Sequence, residues 1–336
     1  MDYLIFLAGY FFHKVLILRR FLILFVEFRA FYDKKNKKLS IKPGITINND
    51  SLLLNGALYN YFQLMKEYKF ANDSRSDDEI FLRLLMLKGF DALKLMNADY
   101  SIAYRKGDKL FLLRDLAGSC PIFYSNNNDF FSFSDEKMEE GKELSTGALL
   151  EFDLKNNNLV LHDKSSIPKK EFFKSYEEMI EVFAKELFRS ISIRVYNLGS
   201  FGIMNKGNTE TKIIIKLCTD LKTSFVLLNP SYSKESAPEA LKKVKELTGS
   251  NNFDLVQFYF ACMKANEEGL KVIICDLGAS LLLHDAVNPV HYYYIAKHFN
   301  INLRYPFLDI KLAEAMLRTD AKYKKNLLAV ILEHLK

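Results

Sequence analysis

Asn55 and Gly56 place a side-chain amide next to a backbone N–H with no side chain over it, a pair of donors able to hold an anion. They sit in LLLNGALYNYFQL, residues 52–64, which reads as a buried strand, a tight turn and the start of a helix. Asn-Gly is equally ordinary turn chemistry where the backbone needs positive φ, so the residues alone leave both readings open. Cys120, Cys218, Cys262 and Cys275 stand far apart without paired spacing, which predicts neither a zinc site nor a disulfide framework and makes a reducing compartment the default. His291 and His298, two helical turns apart in HYYYIAKH, read as ordinary helix residues, and no structural metal is expected.

The elements that must position these residues fit a chain of 336 residues, long enough for two domains of roughly 150 residues each. With 49% hydrophobic and 26% charged residues it has the composition of a soluble globular protein. A net charge of +6 is spread along the length. Its clearest basic cluster, Lys34-Lys35-Asn36-Lys37-Lys38, reads as a solvated loop, so no nucleic-acid partner is expected. The apolar stretch 3–28 is broken by His13, Lys14, Arg19 and Arg20, whereas a spanning helix wants about 20 apolar residues. Buried strands are expected there, with no membrane partner and a cytoplasmic location.

Between 50 and 155 the pattern is strand, helix, helix and a meander of strands. Leu58, Tyr61, Phe62 and Met65 should share one helix face, and Ile80, Phe81, Leu84 and Leu85 another. Ser76 with Glu79 predicts a capping box before the second helix, and Gly89 its stop. YSIAY, KLFLLRD, PIFYS, FFSFSD and ALLEFDL predict an antiparallel sheet. A polar linker near Lys170 separates a second half in which a helix over 176–195, SFGIM, TKIIIKL, SFVLL, a helix to about 247 and KVIIC alternate as in a mostly parallel α/β sheet. The last 60 residues read as helical apart from Pro306.

In that order and spacing, NGALYNYFQL, SDDEIFL, LRDLAGSCPIFY, FSFSDEK and STGALLEFD resemble the glutaminase half of asparagine synthetases. RYPFLD at 304–309 resembles the synthetase half. ICDLGASLLL stands where that family has S-G-x-G-A-D-E, and FGIMNKGNTETKI where it has a strand followed by S-G-G-x-D-S. The chain is most similar to the asparagine synthetase domain-containing branch, in shortened form. The resemblance implies α+β then α/β: an Ntn-hydrolase-like (class II glutamine amidotransferase) αββα sandwich over 1–165, then a Rossmann-like ATP-pyrophosphatase (adenine nucleotide alpha hydrolase-like) synthetase domain over 171–336.

It also implies roles. In the family a terminal cysteine attacks the glutamine amide, and the donors at Asn55 and Gly56 would hold the oxyanion. Here position 2 is Asp2, and loss of such a nucleophile costs on the order of a millionfold in rate. Ala57 replaces a glutamate expected to hold the substrate ammonium, Lys38 stands near an arginine expected to pair its carboxylate, and Asp77 persists at a helix start. For the synthetase half, Gly202, Gly207 and Gly278 are what remains of the nucleotide-binding segments, and Arg304 and Asp309 of the synthetase site. Thr209 and Ser280-Leu281 stand where acidic residues are expected.

The expected function is therefore an asparagine synthetase-like protein with degenerate glutaminase and ATP-binding motifs that acts through binding, with no catalytic residue assigned. The alternatives are an ammonia- and ATP-dependent ligase and a membrane-surface protein using residues 3–28. Glutamine, aspartate and ATP are partners only if the sites survive. ATP and Mg²⁺ are the cofactors left open, none is certain, and a homodimer is compatible.

Overall fold

The computed structural model describes residues 28–41, 44–70, 76–162, 171–230, 236–278, 289–324 and 326–335. Asp2, the apolar stretch up to 27, the linker before 171 and Ser280-Leu281 lie outside the described residues. Two compact units form. One comprises the described residues before Leu116 with those from Cys120 to His162, the other Leu116–Ser119 with those from 171 on.

The first unit begins with β1 (Arg29–Asp33), β2 (Lys38–Ile41), β3 (Ile45–Ile47) and β4 (Asp50–Leu58), then α1 (Tyr61–Glu67), α2 (Asp77–Lys88) and a 3-10 segment, Gly89–Lys94. Seven strands follow: β5 (Ala98–Lys106), β6 (Lys109–Arg114), β7 (Phe123–Asn126), β8 (Phe130–Ser134), β9 (Lys142–Glu143), β10 (Leu149–Asp153) and β11 (Asn158–His162). They pair antiparallel as two sheets, β2-β1-β8-β7-β9 and β11-β10-β6-β5-β4-β3. Period-two alternation feeds two cores. Leu53, Ala103, Leu112 and Leu150 meet Phe28, Tyr32, Phe131 and Phe133 between the sheets, while Leu52, Leu54, Ile102 and Leu113 meet the helices on the other face. Among the described residues there are thus three layers, helix on sheet on sheet, and the second helical layer that the resemblance implies is not among them.

Three local expectations need correction. Asn55 and Gly56 do not make a strand-to-helix turn: both lie within the β4–β5 ladder, opposite Ser101 and Tyr100. Leu58 ends β4 rather than joining the first helix, whose core side is Tyr61 and Leu64, and Phe62 is 42% exposed. Ser76 occupies the N-cap of α2 without capping it, and Glu79 bonds Arg83 instead. The helix stands anyway. Ile80, Phe81, Leu84 and Leu85 are buried at about 1.5–3 kcal/mol each, more than the ~1 kcal/mol that a missing cap costs.

The second unit runs α3 (Tyr176–Val195), β12 (Ser200–Met204), α4 (Thr209–Asp220), β13 (Ser224–Leu228), α5 (Ser236–Thr248), α6 (Phe253–Glu267) and β14 (Val272–Ile274). It ends with α7 (Pro289–His298), β15 (Asn302–Arg304), a 3-10 turn at Pro306–Leu308, α8 (Ile310–Leu317), α9 (Ala321–Lys324) and α10 (Leu327–His334). The four strands are parallel in the order β13-β12-β14-β15. Phe201, Ile203, Val272 and Ile274 pack on α3, α4, α8 and α10, while Met204, Leu228 and Ile273 pack on α5, α6 and α7. Helices on both faces of a parallel sheet make this unit doubly wound. Helix α6 and strand β15 depart from the sequence reading, which shows no helix over 253–267 and runs 302–304 into a helical stretch.

Candidate functional site

Alternation along β4 sends Leu53 between the sheets and Leu52 and Leu54 to the helices, so Asn55 and Ala57 face the inter-sheet side at the strand's end. Across the ladder Asn55 pairs with Ser101 and Ala57 with Asp99. Gly56 has φ of 144°, and a Cβ there would stand 1.9 Å from the Asp99 carbonyl oxygen. Glycine is required because the neighbouring strand approaches too closely for any side chain.

Tyr59-Asn60-Tyr61 then anchor the chain as it leaves β4. The Tyr59 hydroxyl donates to Asp99 Oδ2 at 2.6 Å. Asn60 Nδ2 donates to the Leu95 carbonyl at 2.8 Å while its Oδ1 accepts the Asn97 N–H at 2.9 Å, and Tyr61 enters the helix-side core. Asp77 reaches back from α2 so that its Oδ2 accepts the Leu58 N–H at 2.8 Å. Asn55, Gly56 and Asp77 are therefore gathered at one end of β4. Lys38 lies instead on β2, the edge strand of the other sheet, where it is exposed. Next to Asp77, burial pushes the Asp78 carboxyl above its ordinary range, against a hydrogen bond from Ser76 that lowers it.

The Arg-Asp pair in LRDLAGSCPIFY serves the frame. Arg114 Nη1 donates to Glu143 Oε1 at 2.6 Å and to the Leu144 carbonyl at 2.8 Å. Asp115 Oδ2 accepts the Tyr100 N–H at 2.9 Å. The buried carboxylate of Asp99, opposite Ala57, was not singled out from sequence; only the strand register reveals it.

In the second unit the chain leaves β12 for β13 on one side and returns to β14 on the other, so the carboxyl ends of β12 and β14 flank a topological switch point. Asn205–Asn208 form the loop there, and Asn208 caps α4 by accepting the Thr211 N–H at 3.0 Å. Asp276 enters from the end of β14: Lys206 Nζ donates to its Oδ1 at 2.8 Å and Asn208 Nδ2 to its Oδ2 at 3.0 Å. Burial alone would lower the Lys206 ammonium, but the facing Asp276 holds it above the ordinary lysine value. The Cys275 thiol is pushed up to about 12 by burial and by Asp276.

The positions expected from sequence divide. Gly207, with φ of 70°, lies in this loop. Gly202 is inside β12, where a Cβ would meet Leu228 Cδ1 at 2.5 Å, and Gly278 lies against Leu308. Arg304 donates to the Arg194 carbonyl at the end of α3. Asp309 caps α8 and pairs with Arg194 at 2.9 Å and Arg189 at 2.5 Å, while Ser190 Oγ donates to the Pro306 carbonyl at 2.7 Å. RYPFLD is a packing corner on α3. Sequence reasoning missed Lys206 and Asp276, since 70 residues separate them and neither belongs to a local pattern.

The loop does not fit ATP with Mg²⁺. The Gly207 N–H donates to Asn205 Oδ1 at 3.2 Å, the Thr211 N–H is taken by Asn208, and the one lysine at the loop holds a carboxylate. No group of three or more metal-ligating side chains occurs among the described residues. Nor is any described helix long and apolar enough to cross a membrane.

A glutamine amidotransferase domain model matches residues 45–187, from β3 into α3. A Methanocaldococcus jannaschii protein named as an asparagine synthetase (glutamine-hydrolyzing) is 24% identical over 285 residues, covering 69% of this chain and 52% of the relative. A probable asparagine synthetase (glutamine-hydrolyzing) of Acanthamoeba polyphaga mimivirus is 21% identical over 266 residues, covering 70% and 48%. The chain spans about half the length of the curated relatives it matches. Among solved structures, a glutamine phosphoribosylpyrophosphate amidotransferase from B. subtilis is similar with a TM-score of 0.33 and 12% identity, over 70% of this chain and 64% of that one, too slight a likeness to define the fold. The matched domain gives the first unit a class II glutamine amidotransferase fold. With that domain, and with asparagine synthetases aligned over about 70% of its length, the chain is similar to the glutamine-hydrolyzing asparagine synthetases.

Proposed function

We propose that this chain is an asparagine synthetase-like protein whose glutaminase and ATP-binding positions are degenerate, and that it acts in the cytoplasm through binding rather than catalysis. In this reading residues 1–165 are the amidotransferase-like domain and 171–336 a Rossmann-like domain of the ATP-pyrophosphatase type. The observation that carries it is the end of β4. Ala57 offers a methyl group where the family resemblance puts an ammonium-binding glutamate, and Asp77 gives Oδ2 to the Leu58 N–H. A glutamine entering there would meet Asn55, Gly56 and Asp77 but not the glutamate that the resemblance expects for its ammonium, so it would bind more weakly and with a less fixed orientation. Glutamate release from glutamine by purified protein tests this. Release no greater than from a heat-inactivated sample is expected, and turnover in proportion to protein concentration overturns the reading.

A second reading is an ammonia-dependent ligase, which the doubly wound parallel sheet favours. It requires a nucleotide to enter the loop between β12 and α4.

A further inference from the structure

The loop after β12 is closed by the chain's own charges. Asp276, with its side chain 6% exposed, accepts from the Lys206 ammonium with one oxygen and from the Asn208 amide with the other, and the lysine is 25% exposed. Asn208 is at the same time the N-cap of α4, so a single side chain ties the carboxylate to the helix start. Helix α4 has 12 residues and carries Glu210 in its first turn, so the positive end of its dipole already faces two carboxylates. Asn205 joins in from the other side, accepting the Gly207 N–H with Oδ1 and donating from Nδ2 to Asn229 Oδ1 at 2.9 Å at the end of β13.

We propose that the Asp276 carboxylate is the resident anion of this loop: held by Lys206 and Asn208, it fills the place of a phosphate group and closes the second unit to polyphosphate ligands. The inference deepens the reading of a degenerate nucleotide site and rests on it. The chemistry is a substitution of one anion for another. A phosphate approaching the loop must displace a carboxylate of its own sign that is tethered, desolvated and bonded at both oxygens. By the resemblance, Lys206 stands at one of the paired glycines of S-G-G-x-D-S and Asp276 at the first glycine of S-G-x-G-A-D-E. Side chains of opposite charge thus occupy two positions where the family has none, and they meet.

The plug predicts a gain of binding when half of it is removed. Inorganic pyrophosphate is titrated calorimetrically into the full chain as wild type, Asp276→Asn, Asp276→Gly and the double variant Lys206→Met/Asp276→Leu. Wild type and the double variant are expected to show no saturable binding at millimolar pyrophosphate. Asp276→Asn, which leaves the Lys206 ammonium without its carboxylate, is expected to bind at least tenfold more tightly than wild type. Asp276→Gly, which also vacates the space, gives the same sign and serves if the asparagine variant does not fold. Saturable binding by wild type as tight as by Asp276→Asn overturns the plug, as does an absence of gain in both single variants. Hydrolysis of glutamine by wild type would instead sink the degenerate reading and leave this comparison standing.

Discussion

Gly56 and Asp78 put opposite demands on single residues. At Gly56 a Cβ would enter the Asp99 carbonyl, and φ of 144° is closed to other residues at a strain of about 1–3 kcal/mol before the clash is counted. Gly56→Ala is therefore expected to cost more than ~3 kcal/mol or to prevent folding, read by urea denaturation. A loss under ~1 kcal/mol would show that β5 can withdraw. Asp78 is the converse case, a carboxyl whose folded-state pKa is raised by burial above the unfolded value of about 3.9. A raised acid pKa means that the charged form is penalised in the folded state. The penalty is complete above the folded pKa and absent below the unfolded one. Asp78→Asn should accordingly melt higher than wild type at pH 7, and the difference should close as the pH falls through the carboxylate range toward 3. A difference independent of pH would assign the effect to shape.

Helix α3 shows what sequence periodicity captures and the corner it supports shows what it misses. Met179, Phe183, Leu187 and Ile191 recur every four residues, all are buried, and the helix runs Tyr176–Val195 as the spacing predicts. Its cap is genuine, for Ser175 Oγ accepts the Glu178 N–H at 3.0 Å and Glu178 Oε2 the Lys174 N–H at 2.9 Å. Ser175→Ala should cost about 1 kcal/mol in equilibrium unfolding. Asp309→Ala should cost about 3–5 kcal/mol, because it leaves Arg194, 1% exposed, without its carboxylate. Equal losses for the two variants would mean that the buried ion pair carries no more than a cap. Helix α6 escaped the periodic reading because Leu255, Val256, Phe258, Phe260, Ala261, Cys262 and Ala265 are buried around most of its circumference, leaving no polar stripe to set the period. Strand β15 is three residues long and exists through its parallel pairing with β14, which local sequence does not display. Lys206 and Asp276 were illegible for the same reason.

On the scale of the whole molecule, the positions that match the family resemblance and those that depart from it fall into different physical classes. The glycine at the strand crossing, the Arg114–Glu143 clasp, the α/β alternation and the RYPFLD corner hold backbones in place. In the proposed reading, Ala57, Lys206 and Asp276 stand where the resemblance puts positions that face ligands. A protein can lose the second set and still fold, since stability draws on the cores and not on empty pockets. The measurement that tests this division most directly is pyrophosphate release by the purified chain given ATP, Mg²⁺ and aspartate, with ammonium or glutamine as the nitrogen source. The account predicts release equal to that of a heat-inactivated control with either source. Aspartate-dependent release with ammonium would contradict it and establish the ligase reading in its place.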